Sequence, residues 1–125
     1  MLRLSISGTR LSSQRFFTTT TPRMVSQIAS AADFRSKIGS GLVLVEFFAT
    51  WCGPCKMIAP VLENFEKQYT NVSFYKVDIE QVAEIASEFA VSAVPTIILF
   101  KEGEQVDVVK GANAAKVKQI LDARQ

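Results

Sequence analysis

Apolar positions along this chain recur in two rhythms, and the switches between them outline its elements. Val25 to Ala29 reads as a short strand. Ser30 then offers an N-cap, and Phe34 and Ile38 share one face of a helix that Gly39-Ser40-Gly41 closes. Leu42 to Phe48 is a nearly continuous apolar run, the pattern of a central strand covered on both faces. Ile58, Leu62, Phe65 and Tyr69 follow at helical spacing, with Pro60 early in that helix and expected to kink it. Val72 to Ile79 reads as a strand that alternates in its second half, and Val82, Ile85, Ala86 and Phe89 mark another helix. Thr96 to Lys101 and Gln105 to Val109 form a hairpin around Glu102-Gly103-Glu104. A last helix, capped by Asn113, presents Val117, Ile120 and Leu121 to the core. Strands alternating with helices before a closing hairpin predict an α/β domain, with a mixed central β-sheet flanked by helices on both faces.

Length and composition fit this picture. The 125 residues suit one domain, and 48% hydrophobic content is enough for a core without disulfide staples. No apolar run approaches the length of a membrane span. The formal charge of +2 is unevenly placed. Residues 1–23 carry Arg3, Arg10, Arg15 and Arg23 and no acid, which leaves ten basic and twelve acidic side chains for residues 24–125. The body is thus nearly neutral, and it lacks the basic stripe with interleaved aromatics that nucleic acid would require.

The leading segment, MLRLSISGTRLSSQRFFTTTTPR, is rich in Arg, Ser and Thr and has spaced rather than continuous apolar residues. That is the composition of a mitochondrial transit peptide and not of a secretory signal. Residues 1–23 are therefore read as a leader to the mitochondrial matrix, and 24–125 as the domain. A bare extension without an address is the plainer alternative. Initiation at Met24 would give a second, cytosolic form.

The chain has two cysteines and no histidine. The usual four-ligand zinc site cannot be assembled, and Cys–His or Ser–His catalysis is excluded. Cys52 and Cys55 are three residues apart, between a predicted strand and a predicted helix. At a helix start that spacing places their Cα atoms roughly 5 Å apart, within the disulfide window. Cys52 would stand at the helix N-terminus, where free amides and the macrodipole favour a thiolate. It is the expected attacking thiol, and Cys55, one turn inside and less exposed, the resolving thiol. Pro54 suits the first turn because its missing N–H would have been unpaired there, and Gly53 permits close approach of another backbone. A structural staple, a metal site and inert thiols remain as alternatives. A staple is the weakest physically, because so small a loop removes little unfolded-chain entropy.

The segment from Val45 through Glu46, Trp51, Cys52, Gly53, Pro54, Cys55 and Lys56 to Pro60 resembles the active-site segment of the thioredoxin family, and the resemblance extends from Met24 to Gln125, with fungal members the most similar. Gly-Pro between the cysteines, with Trp before them, is similar to the reducing members. The resemblance implies a thioredoxin fold and a protein-disulfide reductase that holds no cofactor beyond a redox-active Cys52–Cys55 disulfide. A thioredoxin reductase drawing on NADPH would reset it, and peroxiredoxins and methionine sulfoxide reductases would be clients of the monomeric protein. Val94-Pro95-Thr96 matches a cis-proline loop that pairs with substrate backbone. Gly111 matches a glycine of the docking surface, Trp51 the tryptophan beside the nucleophile, and Lys76 a lysine near the buried acid. On the residues alone, an ordinary strand-start proline is the favoured reading of Pro95, and the alternatives for the others are a turn at Gly111, a core aromatic at Trp51 and an exposed strand lysine at Lys76.

Glu46 departs from the family, which usually has Asp at that place. A carboxyl on the buried side of a central strand should have a raised pKa and could exchange a proton with Cys55. The alternative is an acid tied to Lys76 for stability. Two other functions fit the same fold: a binding scaffold with incidental redox chemistry, or an oxidase or isomerase in an oxidising compartment, against which the missing secretory signal and the Gly-Pro motif argue.

Overall fold

The computed structural model describes residues 25–124. The leader assigned to residues 1–23 and the alternative start at Met24 lie outside these residues. Five strands and four helices are formed among them: β1 (Ser26–Ile28), α1 (Ala31–Ile38), β2 (Leu42–Phe48), α2 (Gly53–Gln68), β3 (Val72–Asp78), α3 (Ala83–Glu88), β4 (Thr96–Lys101), β5 (Glu104–Lys110) and α4 (Ala114–Asp122). The strands make one mixed sheet in the order β1-β3-β2-β4-β5. β3 runs parallel to both β1 and β2, while β4 is antiparallel to β2 and β5.

The fully apolar run of β2 is explained by its place. It is paired on both edges, and Val43 to Phe47 are all buried. Alternate side chains enter two cores. Leu44 packs with Ile58, Leu62 and Phe65 of α2, Ile97 and Leu99 of β4, and Val117, Ile120 and Leu121 of α4. Val43, Val45 and Phe47 point to the other face, with Phe34 and Ile38 of α1, Ile85 of α3, and Phe100. Phe34 is the hub of that second core: its ring centroid lies 5.5 Å from Phe89 and 5.7 Å from Phe100, the latter edge-on. No helix among the described residues is long and apolar enough to cross a membrane.

The caps read from the sequence are present. Ser30 accepts from the Asp33 amide at 3.1 Å, and Asn113 from the Lys116 amide at 3.0 Å. α2 continues unbroken through Pro60. In β3 buried residues alternate with more exposed ones in both halves, at Val72, Ser73 and Phe74 and again, as expected, at Lys76, Val77 and Asp78, but the contrast is weaker in the second half. The second half pairs with β1 as well as β2, so Tyr75 and Lys76 are partly covered. The hairpin is tighter than expected, because Glu104 pairs with Lys101 and leaves only Glu102 and Gly103 in the turn. Both have positive φ, 51° and 85°, as a type I′ turn requires. Glu102 is held there by a reciprocal pair: its N–H donates to the Gly41 carbonyl at 3.0 Å, and its carboxylate accepts from the Gly41 amide at 3.1 Å.

α3 ends in a paired-bond C-cap. The Val91 amide donates to the Ala86 carbonyl at 2.9 Å and the Ala90 amide to that of Ser87 at 3.1 Å. The residue between, Ala90, has φ 54°, a left-handed conformation that its Cβ opposes. Replacing Ala90 by Gly should therefore stabilise the domain by about 0.5–1 kcal/mol, read as a higher urea midpoint at unchanged m. A lower midpoint would show that the Ala90 methyl contributes packing that outweighs the backbone gain.

Candidate active site

The functional side chains gather at one end of the sheet because three strand ends meet there. Phe48, the last residue of β2, is in register with Asp78 at the end of β3, and Phe47 with Thr96 at the start of β4. Thr96 in turn faces Lys110 at the end of β5. The segments that follow or precede these positions are Ala49 to Cys52, Ile79 to Val82, Ala93 to Pro95, and Gly111.

Cys52 is the N-cap of α2. Its Sγ accepts the Cys55 amide at 3.1 Å, so the helix start places a free N–H on the sulfur before any charge exists there. Its own amide donates to the Ala49 carbonyl at 3.1 Å, which fixes the turn out of β2. Cys52 and Cys55 form a disulfide with Cα atoms 5.3 Å apart, as the spacing predicts. The expected contrast in exposure is absent: Cys52 is 3% exposed and Cys55 4%. In the disulfide form both sulfurs share one cover, packed with Ala49 and against Phe48, Ile79 and Val94. The two thiols are distinguished by position on the helix and not by burial. Pro54 lies in the first turn of α2, and open space surrounds the position a Gly53 side chain would take.

The peptide between Val94 and Pro95 is cis, so the proline is not an ordinary strand start. Thr96 Oγ1 closes this turn on the Ala93 carbonyl at 2.7 Å. The Pro95 carbonyl accepts from the Gly111 amide at 2.8 Å, which ties the end of β5 to the same loop. Gly111 needs to be glycine for its φ of 91° and not for space, since nothing lies within 4 Å of where a Cβ would be. Trp51 is 65% exposed and so is no core aromatic. Lys76 is half-buried, with Nζ 5.3 Å from the Phe48 ring centroid. Lys56 is exposed.

Glu46 faces α2, on the side of the sheet that carries Phe48, and it is in register with Lys76 on β3 and Ile97 on β4. It is 3% exposed, and its Oε2 has no hydrogen-bond partner among the described residues. Burial pushes its carboxyl up to about 7, against the opposing pull of the Lys76 ammonium. Glu46 and Lys76 do not form one of the ion pairs seen among the described residues. A cleft of about 230 Å³ is lined by Glu46, Phe48, Thr50, Cys55, Lys56 and Lys76. Among the described residues no group of three or more His, Cys, Asp or Glu side chains could hold a metal ion.

Two neighbours of the site were not foreseen from the sequence. Ile79 extends the β3 ladder by one bond to the Phe48 carbonyl, 3.0 Å, and covers the cysteines. Glu80 accepts the Trp51 indole N–H at 3.1 Å. No local signal points to this acceptor, because Glu80 is brought to Trp51 only by the register of β2 against β3.

The thioredoxin family model matches residues 25–123. Thioredoxin-2 of Saccharomyces cerevisiae is 50% identical over 100 residues, covering 78% of this chain and 96% of its own. The oxidised crystal structure of mitochondrial thioredoxin 3 from S. cerevisiae superposes with a TM-score of 0.76 at 33% identity, covering 79% of this chain and 94% of that one. A chain solved in work on the thiol resolving mechanism of yeast mitochondrial 1-Cys peroxiredoxin via glutathione/thioredoxin systems gives a TM-score of 0.77 at 30% identity, covering 83% and 99%.

The raised carboxyl makes stability depend on pH. Between its ordinary value near 4.5 and about 7, Glu46 holds more proton in the folded than in the unfolded chain. Stability is therefore highest below that interval, falls as pH rises through it, and is level above. Glu46→Gln should abolish this fall and be the more stable protein at pH 8 by up to about 3 kcal/mol. Urea midpoints of both oxidised proteins from pH 4 to 8 measure it, and parallel curves would show that Glu46 ionises like a surface acid.

Proposed function

This chain belongs to the thioredoxin family and is a thiol–disulfide oxidoreductase acting on disulfide-containing proteins, and we propose that it draws its electrons from a thioredoxin reductase supplied by NADPH and delivers them to clients in the mitochondrial matrix. The observation that carries this reading is the position of Cys52, capping α2 with its sulfur on the Cys55 amide and covered by the loop of the cis proline.

In the reduced protein the Cys52 thiolate attacks one sulfur of a client disulfide. The client S–S bond breaks, a Cys52–client bond forms, and the other client sulfur leaves as a thiolate. Cys55 then loses its proton to Glu46 through the cleft that both line and attacks Cys52 Sγ. The mixed disulfide breaks, the second client sulfur leaves, and the Cys52–Cys55 bond forms. Two electrons have passed from the dithiol to the client. Helix amides favour the charged Cys52, while Glu46, whose buried carboxyl is pushed up to about 7, is in its ionised form a stronger acceptor for the Cys55 proton than an ordinary carboxylate. Trp51, Gly53, Pro54, Val94, Pro95 and Gly111 form the docking surface. The client's backbone would approach beside Gly53 and pair along the Val94-Pro95 edge, and Lys76 would tune the acid.

Peroxiredoxins and methionine sulfoxide reductases are the client classes we assign. The similarity to a chain from a peroxiredoxin–thioredoxin study supports the first. The acid-free, arginine-bearing residues 1–23 act as a transit peptide, and likeness to a mitochondrial thioredoxin supports that address. The working unit is a monomer of residues 24–125.

With NADPH and thioredoxin reductase, the protein should reduce insulin, seen as NADPH oxidation and precipitation of the freed chains. Absence of turnover would overturn the reading. Cys55→Ser should accumulate a client-linked mixed disulfide on non-reducing gels, and Cys52→Ser should accumulate none. Glu46→Gln should slow disulfide exchange at least about ten-fold across pH 6–9, and an unchanged rate would remove the acid from the mechanism. N-terminal mapping in separated mitochondria and cytosol tests the address: a matrix form beginning at or before Met24 is expected, and a protein confined to the cytosol would refute it.

A further inference from the structure

The hydrogen bond between Trp51 and Glu80 joins two segments that are 29 residues apart and flank the disulfide from different strands. Each end is anchored independently. Trp51 precedes Cys52 in the turn pinned by the Cys52 amide to Ala49. Glu80 follows Ile79, whose amide is bound to Phe48 and whose side chain covers the cysteines. The Glu80 amide donates to Asp78 Oδ1 at 2.8 Å, and the Gln81 and Val82 amides donate to the Asp78 carbonyl at 3.1 and 2.9 Å. The turn after β3 is thus a fixed platform, and its exposed carboxylate takes the one polar atom of a largely exposed indole.

An exposed aromatic ring beside a nucleophile gains little orientation from packing. A single bond from a rigid support removes the rotational freedom that docking would otherwise have to remove. We propose that Glu80 is a positioning residue for client recognition: it holds the Trp51 ring in its docking orientation, while taking no part in thiol exchange itself. The proposal rests on the reductase reading and on Trp51 as part of its docking face. It concerns the carboxylate as an acceptor and not as a charge, which Glu80→Gln separates, because the amide keeps an acceptor oxygen.

Trp51 is the only tryptophan of the chain, so the emission comes from this ring alone, and comparing variants in the same redox state isolates the effect of Glu80. In the insulin assay with thioredoxin reductase, Glu80→Ala should raise KM for insulin about three- to ten-fold and leave kcat within two-fold. Its indole anisotropy should fall, while the rate with a small aromatic disulfide, which needs no docking face, stays that of the parent. Glu80→Gln should restore both KM and anisotropy. A Glu80→Ala protein with unchanged KM would overturn the proposal, as would a Glu80→Gln protein as impaired as Glu80→Ala, since charge would then be the operative property. Failure of the parent protein to reduce insulin would refute the reductase reading instead, so the two failures are distinct.

Discussion

The burial of β2 on both edges and both faces is the constraint on which the rest depends. A strand in that position must be apolar, and Leu42 to Phe48 is so with one exception. It divides the interior into two cores by the alternation of its side chains, and its exit sets where the following helix begins. Cys52 becomes an N-cap because β2 ends at Phe48 and the chain turns through Ala49 to Trp51 before α2. The same alternation forces Glu46, two residues before the strand's end, onto the face that α2 covers.

Two opposite electrostatic environments are thereby placed on either side of one disulfide. The helix start supplies amides that stabilise negative charge at Cys52. The sheet interior penalises negative charge at Glu46 and keeps it protonated to near-neutral pH. The Lys76 ammonium reduces that penalty without forming an ion pair, since it is placed over the Phe48 ring. Glu46 and Cys55 line the same cleft.

Around these groups the exposed face is built from loops made rigid by short-range bonds. The cis Val94–Pro95 turn is closed by Thr96 and bound to Gly111, and the β3–α3 turn is closed by Asp78. Loops supported in this way would, on the proposed docking reading, present Trp51, Gly53 and Val94 without the ordering cost that mobile loops add on binding.

Local chemistry was legible in the sequence because it depends on neighbours a few residues away. The spacing of Cys52 and Cys55, the caps at Ser30 and Asn113 and the helix faces of Phe34, Ile58 and Val117 are of that kind. Burial of Glu46 was also readable, since an acid inside an apolar run has nowhere else to go. The tertiary structure alone decided the strand order, the acceptor of the Trp51 indole, the equal burial of the two sulfurs and the absence of an ion pair between Glu46 and Lys76. These depend on which strand ends meet and in what register, and periodicity within one segment carries no information about the distance to another. The cysteine pair was therefore determined by the chain itself, and the surroundings of the pair were determined by the packing of β2 against β3 and β4.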